Sequence, residues 1–89
     1  MYAIVVAVTI NDVDAATKFL NDEIVPQVKQ APGFTAGWWV TIKDGAEGRG
    51  TIVFESEEAA RGVAEGIQRE PGEAVTIQSV EVGEVAANA

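Results

Sequence analysis

The sequence predicts an α+β domain with the element order β-α-β-β-α-β, and three observations carry that prediction. Tyr2–Ile10, Phe34–Ile42, Arg49–Glu55 and Ala74–Val82 are apolar, mostly alternating runs rich in β-branched and aromatic residues, as strands are. Residues 12 to about 30, and those following Ser56, repeat their apolar positions at helical spacing. Turn and stop signals separate these runs: Pro32-Gly33, the charged and glycine-rich Lys43–Gly50, and Pro71-Gly72.

The first strand carries Tyr2, Ile4, Val6, Val8 and Ile10 on one face and the smaller Ala3, Val5, Ala7 and Thr9 on the other. Asn11-Asp12 then offers an N-cap, with Asp14 in the first turn where the helix dipole favours negative charge. Val13, Ala16, Leu20, Ile24 and Val28 form the buried stripe of the first helix, widened by Phe19. Pro26 lies inside it. It removes the hydrogen bond to the Asp22 carbonyl and crowds that group, so a kink or break is expected near residues 22 to 26.

In the second strand the adjacent Trp38 and Trp39 must point to opposite faces. Trp38 has the parity of Phe34, Val40 and Ile42, which assigns it to the core, whereas Trp39 stands among Thr35, Gly37 and Thr41 and is a candidate for a pocket or interface. Lys43–Gly50 is expected to be a mobile hairpin tip; its glycines do not make a phosphate loop, because no helix follows directly and the surroundings are acidic. The third strand puts Ile52 and Phe54 on one face and Thr51, Val53 and Glu55 on the other, with Glu55 expected to reach solvent. Ser56 caps the second helix, Glu57 and Glu58 occupy its first turn, and Ala60, Val63, Ala64 and Ile67 form its apolar stripe. Gly62 and Gly66 weaken that helix; a close approach to the sheet or to another subunit would explain them, and so would chance. In the last strand Val75 and Ile77 change parity with Val80 and Val82, which a bulge near Ser79 or a change in what covers the strand would explain.

This order is the split β-α-β arrangement of the ferredoxin-like fold, with both helices on one face of a four-stranded antiparallel sheet. Residues 1–83 are expected to be a single such domain and 84–89 a C-terminal tail. The other sheet face is left with apolar residues and a tryptophan, a surface that marks an interaction site. A homodimer packed face to face through it is the expected assembly.

Composition narrows function further. Six Lys and Arg against fourteen Asp and Glu give a net charge of −8, which repels phosphate backbones and anionic lipids, so neither nucleic acid nor membrane is an expected partner. The absence of cysteine removes disulfides and thiolate chemistry, and the absence of histidine removes the commonest general base and metal ligand. No cofactor or metal is expected. No apolar run approaches the roughly 20 residues of a membrane helix, and a cytoplasmic protein is the default expectation.

The element order, Pro32-Gly33-Phe34 leading into an aromatic second strand, and Phe54-Glu55-Ser56-Glu57-Glu58-Ala59-Ala60 at the strand-to-helix junction resemble the dimeric α/β-barrel superfamily. The likeness runs to about residue 82 and is strongest to proteins related to the antibiotic biosynthesis monooxygenases. It implies a dimer and, among the superfamily's activities, a cofactor-independent oxygenase acting on an aromatic small molecule. In several such oxygenases an Asn and a Trp line a pocket between helices and sheet. The carry-over lands on Trp38 or Trp39 and on Asn11. The missing histidine removes the axial ligand of the haem-binding relatives. In the oxygenase reading one tryptophan stacks on the ligand, Tyr2 or Asn11 holds its oxygen, and Arg49 or Arg61 offsets negative charge. The alternative is a non-catalytic dimer that binds a small hydrophobic ligand or regulates a partner.

Overall fold

A computed structural model describes residues 1–69 and 73–89. Four strands, β1 (Tyr2–Ile10), β2 (Phe34–Ile42), β3 (Glu47–Phe54) and β4 (Val75–Glu84), form one antiparallel sheet in the order β2-β3-β1-β4. Helix α1 (Val13–Phe19), a π-helical turn (Leu20–Ile24) and α2 (Val25–Gln30) connect β1 to β2, and α3 (Glu57–Arg69) follows β3. The fold is the expected ferredoxin-like α+β arrangement. The Pro71-Gly72 stop lies outside the described residues.

Local chemistry accounts for the element boundaries. Asp12 caps α1 by accepting from the Ala15 N–H at 3.1 Å, and Ser56 caps α3 by accepting from the Ala59 N–H at 3.2 Å. The expected kink before Pro26 is a widened π turn, in which the Val25 N–H reaches back to the Leu20 carbonyl. Pro26 then falls in the first turn of α2, where its missing N–H costs little. The Asn21 side chain donates to the Thr17 carbonyl at 3.0 Å, a group that also accepts the Leu20 N–H where the ladder changes. Pro32-Gly33 form a tight turn closed by the Phe34 N–H on the Ala31 carbonyl, and Gly33 takes φ +81°, a conformation that suits glycine.

Ile4, Ile52, Phe54 and Ala60 are fully buried between sheet and helices, and Phe34 meets Phe54 edge to face at 6.1 Å. Two bulges set the remaining side-chain directions. The shift near Ser79 leaves Gln78 between the register pairs Ala7–Ser79 and Val8–Ile77, as the parity change in β4 foretold.

The second bulge corrects an expectation. Thr35 is the extra residue between the pairs Phe34–Phe54 and Ala36–Val53, so Phe34 faces the helices while Ala36, Trp38, Val40 and Ile42 face away. Trp38 is therefore not in the protomer core: it is 60% exposed on the open sheet face, near Val5 and Val40, which are also exposed. Two further findings concern glycines, the first a correction. The hairpin tip is shorter than expected, a tight turn over Lys43–Gly45 whose three residues take positive φ (54°, 56° and 87°), and β3 begins at Glu47 because Gly48 and Gly50 pair with Thr41 and Trp39. At Gly62 and Gly66 a Cβ would meet nothing within 4 Å, so neither glycine serves a close approach within the chain.

Candidate functional site

Small residues hollow out the space between sheet and helices. Gly48 and Gly50 share the inner face of β3, and Ala15 and Ala16 stand opposite on α1. The result is a cavity of about 410 Å³, walled by Val6, Val8 and Ile10 of β1, Ile52 of β3, Val75 and Ile77 of β4, Phe19, Leu20 and Ile24 of the α1–π segment, and Ile67 of α3. The space is partly open to solvent, with Thr17, Thr41 and Glu73 at its polar margin, and it has the size and mostly apolar lining of a small-molecule pocket. Phe19 and Leu20 line the space without filling it, and Phe54 lies in the packed core beyond it.

Trp39 forms one wall, and glycines hold it in place. A Cβ on Gly37 would lie 2.9 Å from Cη2 of the indole, and a Cβ on Gly50 would lie 3.1 Å from Cδ1 and 3.3 Å from Nε1. The ring therefore spans the two strands, its benzo edge over Gly37 and its pyrrole edge over Gly50. Among the described residues no acceptor pairs with its N–H. Gly48 does the same for β1: a Cβ there would lie 3.0 Å from Val8 Cγ2 and 3.3 Å from Ile10 Cδ1.

The other residues singled out in the sequence are dispersed. Trp38 is on the opposite face of the sheet. Tyr2 packs beside the core at the far end of β1 from the cavity. Asn11 is exposed, and its Nδ2 donates to Thr76 Oγ1 at 3.2 Å, tying the end of β1 to β4; the N-cap is Asp12. Arg49 borders the cavity, but it shares parity with Val40, so strand alternation sends its side chain to the open face. There its guanidinium donates to the Gly48 carbonyl and to Glu47 Oε1, both at 2.9 Å. It does not offer a positive charge to the cavity. Arg61 is likewise committed, to Glu57 on the solvent side of α3. Sequence reasoning missed Gly48 and Gly50, whose two-residue spacing on one strand face was the available signal.

Glu47 is held by two cations. The Lys43 ammonium, 2.8 Å away, and then the Arg49 guanidinium keep its carboxyl below the usual carboxylate range. Because the folded value is lowered, these pairs favour the fold above the unfolded value of about 4.3 and lose that contribution as pH falls through the folded one. An NMR titration is expected to place the Glu47 midpoint below the ordinary range, and Glu47→Gln to flatten the acid side of the stability profile. A midpoint at the ordinary value would show that the pairs do not persist in solution.

The class defined by this architecture is the ferredoxin-like α+β fold. Solved structures share it. HapK from Hahella chejuensis superposes with a TM-score of 0.68 at 12% identity, over 100% of this chain and 96% of that one. A dimeric ferredoxin-like protein from an uncultured marine organism gives 0.67 at 12% identity, over 100% and 98%. The ActVA-Orf6 monooxygenase of Streptomyces coelicolor, solved with nanaomycin D, gives 0.61 at 16% identity, over 99% and 91%. Identities this low establish the fold alone. No protein-family profile matches the sequence, and no curated protein does. Among the described residues no helix is long and apolar enough to cross a membrane, and no group of three or more metal-ligating side chains converges.

Proposed function

We propose that the protein is a homodimer, paired through its open sheet face, that binds a flat aromatic small molecule in the cavity beside Trp39 and oxygenates it without an added cofactor. The observation that carries this reading is the apolar cavity itself, with an indole along one wall and its N–H free to meet a ligand oxygen. Shape and mostly apolar lining favour a planar hydrophobic ligand, and the indole N–H with the Thr41 hydroxyl on the same strand face can orient it. The likeness to a monooxygenase solved with a ligand bound supports the catalytic form of the reading.

In such a reaction a doubly activated CH₂ of the substrate becomes a carbonyl. One oxygen atom of O₂ goes to carbon, the other leaves as water, and the electrons come from the substrate. The chain's part is to bind, orient and exclude bulk water.

Oxygen uptake measured with a panel of anthrones and hydroquinones tests the proposal. Turnover is expected on a tricyclic compound, and Gly48→Val, which puts methyl groups into the cavity, is expected to lower kcat/KM by roughly tenfold or more. Binding without oxygen uptake would leave a carrier or regulator of hydrophobic molecules and remove the oxygenase.

A further inference from the structure

The cavity beside Trp39 is offered charge of one sign only. Two ionisable residues border it, Glu73 and Arg49, and the Arg49 guanidinium is engaged on the open sheet face by Glu47 and the Gly48 carbonyl. The other cations stand elsewhere. Lys43 pairs with Glu47, Arg61 with Glu57 and Arg69 with Glu65, while neither Lys18 nor Lys29 lines the cavity. Glu73 is exposed and makes no ion pair among the described residues.

Hydrogen bonds to the end of β1 hold Glu73 at this margin. The Asn11 and Asp12 N–H groups donate to the Ala74 carbonyl at 2.8 and 3.3 Å, and Asn11 Nδ2 reaches the Glu73 carbonyl at 3.5 Å and Thr76 Oγ1 at 3.2 Å. Glu73 thus lies just before Val75, which pairs with Ile10. Trp39 is at the other end, since it pairs with Gly50 and Gly50 with Val6. From Val6 to Ile10 the cavity follows β1 for roughly 13 Å, at about 3.3 Å per residue. The site is therefore polarised, with an indole at one end, a carboxylate at the other and apolar side chains between them.

We infer that the cavity selects its ligand by charge, taking a planar apolar molecule with a cationic amine at the Glu73 end and rejecting one with a carboxylate there. The inference rests on the cavity being the ligand site. A cation at the margin gains the nearby Glu73 charge, and the field of a chain at −8 draws it in. An anion meets the same carboxylate and field with no cation on the wall to offset them.

Three probes with one ring system make the test: anthracene-9-methylammonium, anthracene-9-methanol and anthracene-9-carboxylate, each titrated into the full chain at low salt and followed by quenching of tryptophan fluorescence. The cation is expected to bind roughly tenfold or more tighter than the carboxylate, with the alcohol between them. Added salt should narrow the spread. Glu73→Gln, a change at an exposed position, is expected to cut the cation-to-anion ratio by roughly fivefold. Glu65→Gln removes the same charge from the solvent side of α3 and should leave the ratio nearly unchanged.

A wild-type ratio near one, or one that Glu73→Gln does not move, would overturn the charge selection while the bound alcohol still supports the cavity. A cation that keeps its affinity in Gly48→Val is held on the outer surface, which would overturn the selection as well. Failure of all three probes to bind would remove the cavity reading, and the selection with it.

Discussion

Trp38→Asp is expected to turn a dimer into a folded monomer. A buried Trp hides on the order of 150–250 Å², and Trp38 is 60% exposed in the protomer. Each copy therefore has roughly 90–150 Å² of indole left to cover, about 2–4 kcal/mol as an upper bound at 25 cal/mol per Å². Two symmetric copies give about 4–8 kcal/mol, so losing both weakens the dimer by a factor of about 10³ or more. Val5 and Val40 extend the apolar patch around it. Because Trp38 contributes little to the protomer core, far-ultraviolet circular dichroism should be preserved while sedimentation velocity reports half the mass. The like charges of two chains at −8 oppose association, so salt is expected to strengthen the wild-type dimer. A wild-type chain that sediments as a monomer, or a Trp38→Asp variant that remains dimeric, would remove the proposed interface.

The parts of this fold that were legible in the sequence are those fixed by local patterning. Strands β1 and β2 have the expected bounds because alternation and flanking turn residues define them. The Pro26 distortion and the β4 bulge were readable because a missing N–H and a parity change each leave a mark on the sequence. What stayed hidden depended on partners. Phe34 and Trp38 share parity on paper, and only the pairing with β3 makes Thr35 the extra residue that turns them to opposite faces; one residue of slip inverts every later side chain. Gly48 looked like loop because glycine is poor in strands, Gly50 fell where the turn and strand readings overlap, and the part both play in the strand face appears only once the Trp39 ring lies across Gly50. Arg49 was assigned to a ligand by charge alone, and Glu47 two residues earlier had already claimed it. The cavity reflects the gap between two helices and a sheet, a distance that no single segment encodes.

The contact between Trp39 and Gly50 is the clearest handle on that cavity. Gly50→Val places a β-branched side chain where strand propensity welcomes it, but its Cβ falls 3.1 Å from Cδ1 and 3.3 Å from Nε1 of the indole. The ring must tilt into the cavity, and such overpacking is expected to cost about 1–3 kcal/mol of stability and to abolish binding of a tricyclic ligand. Trp39→Ala is expected to cost about 3–5 kcal/mol through lost packing and an enlarged void. The double variant should be less destabilised than the two singles summed, by about 1 kcal/mol or more, because valine fills space the indole has left. Urea unfolding of the four proteins gives the coupling directly. Additive losses would mean that the ring does not rest on Gly50 in solution, and the cavity wall would then have to be drawn elsewhere.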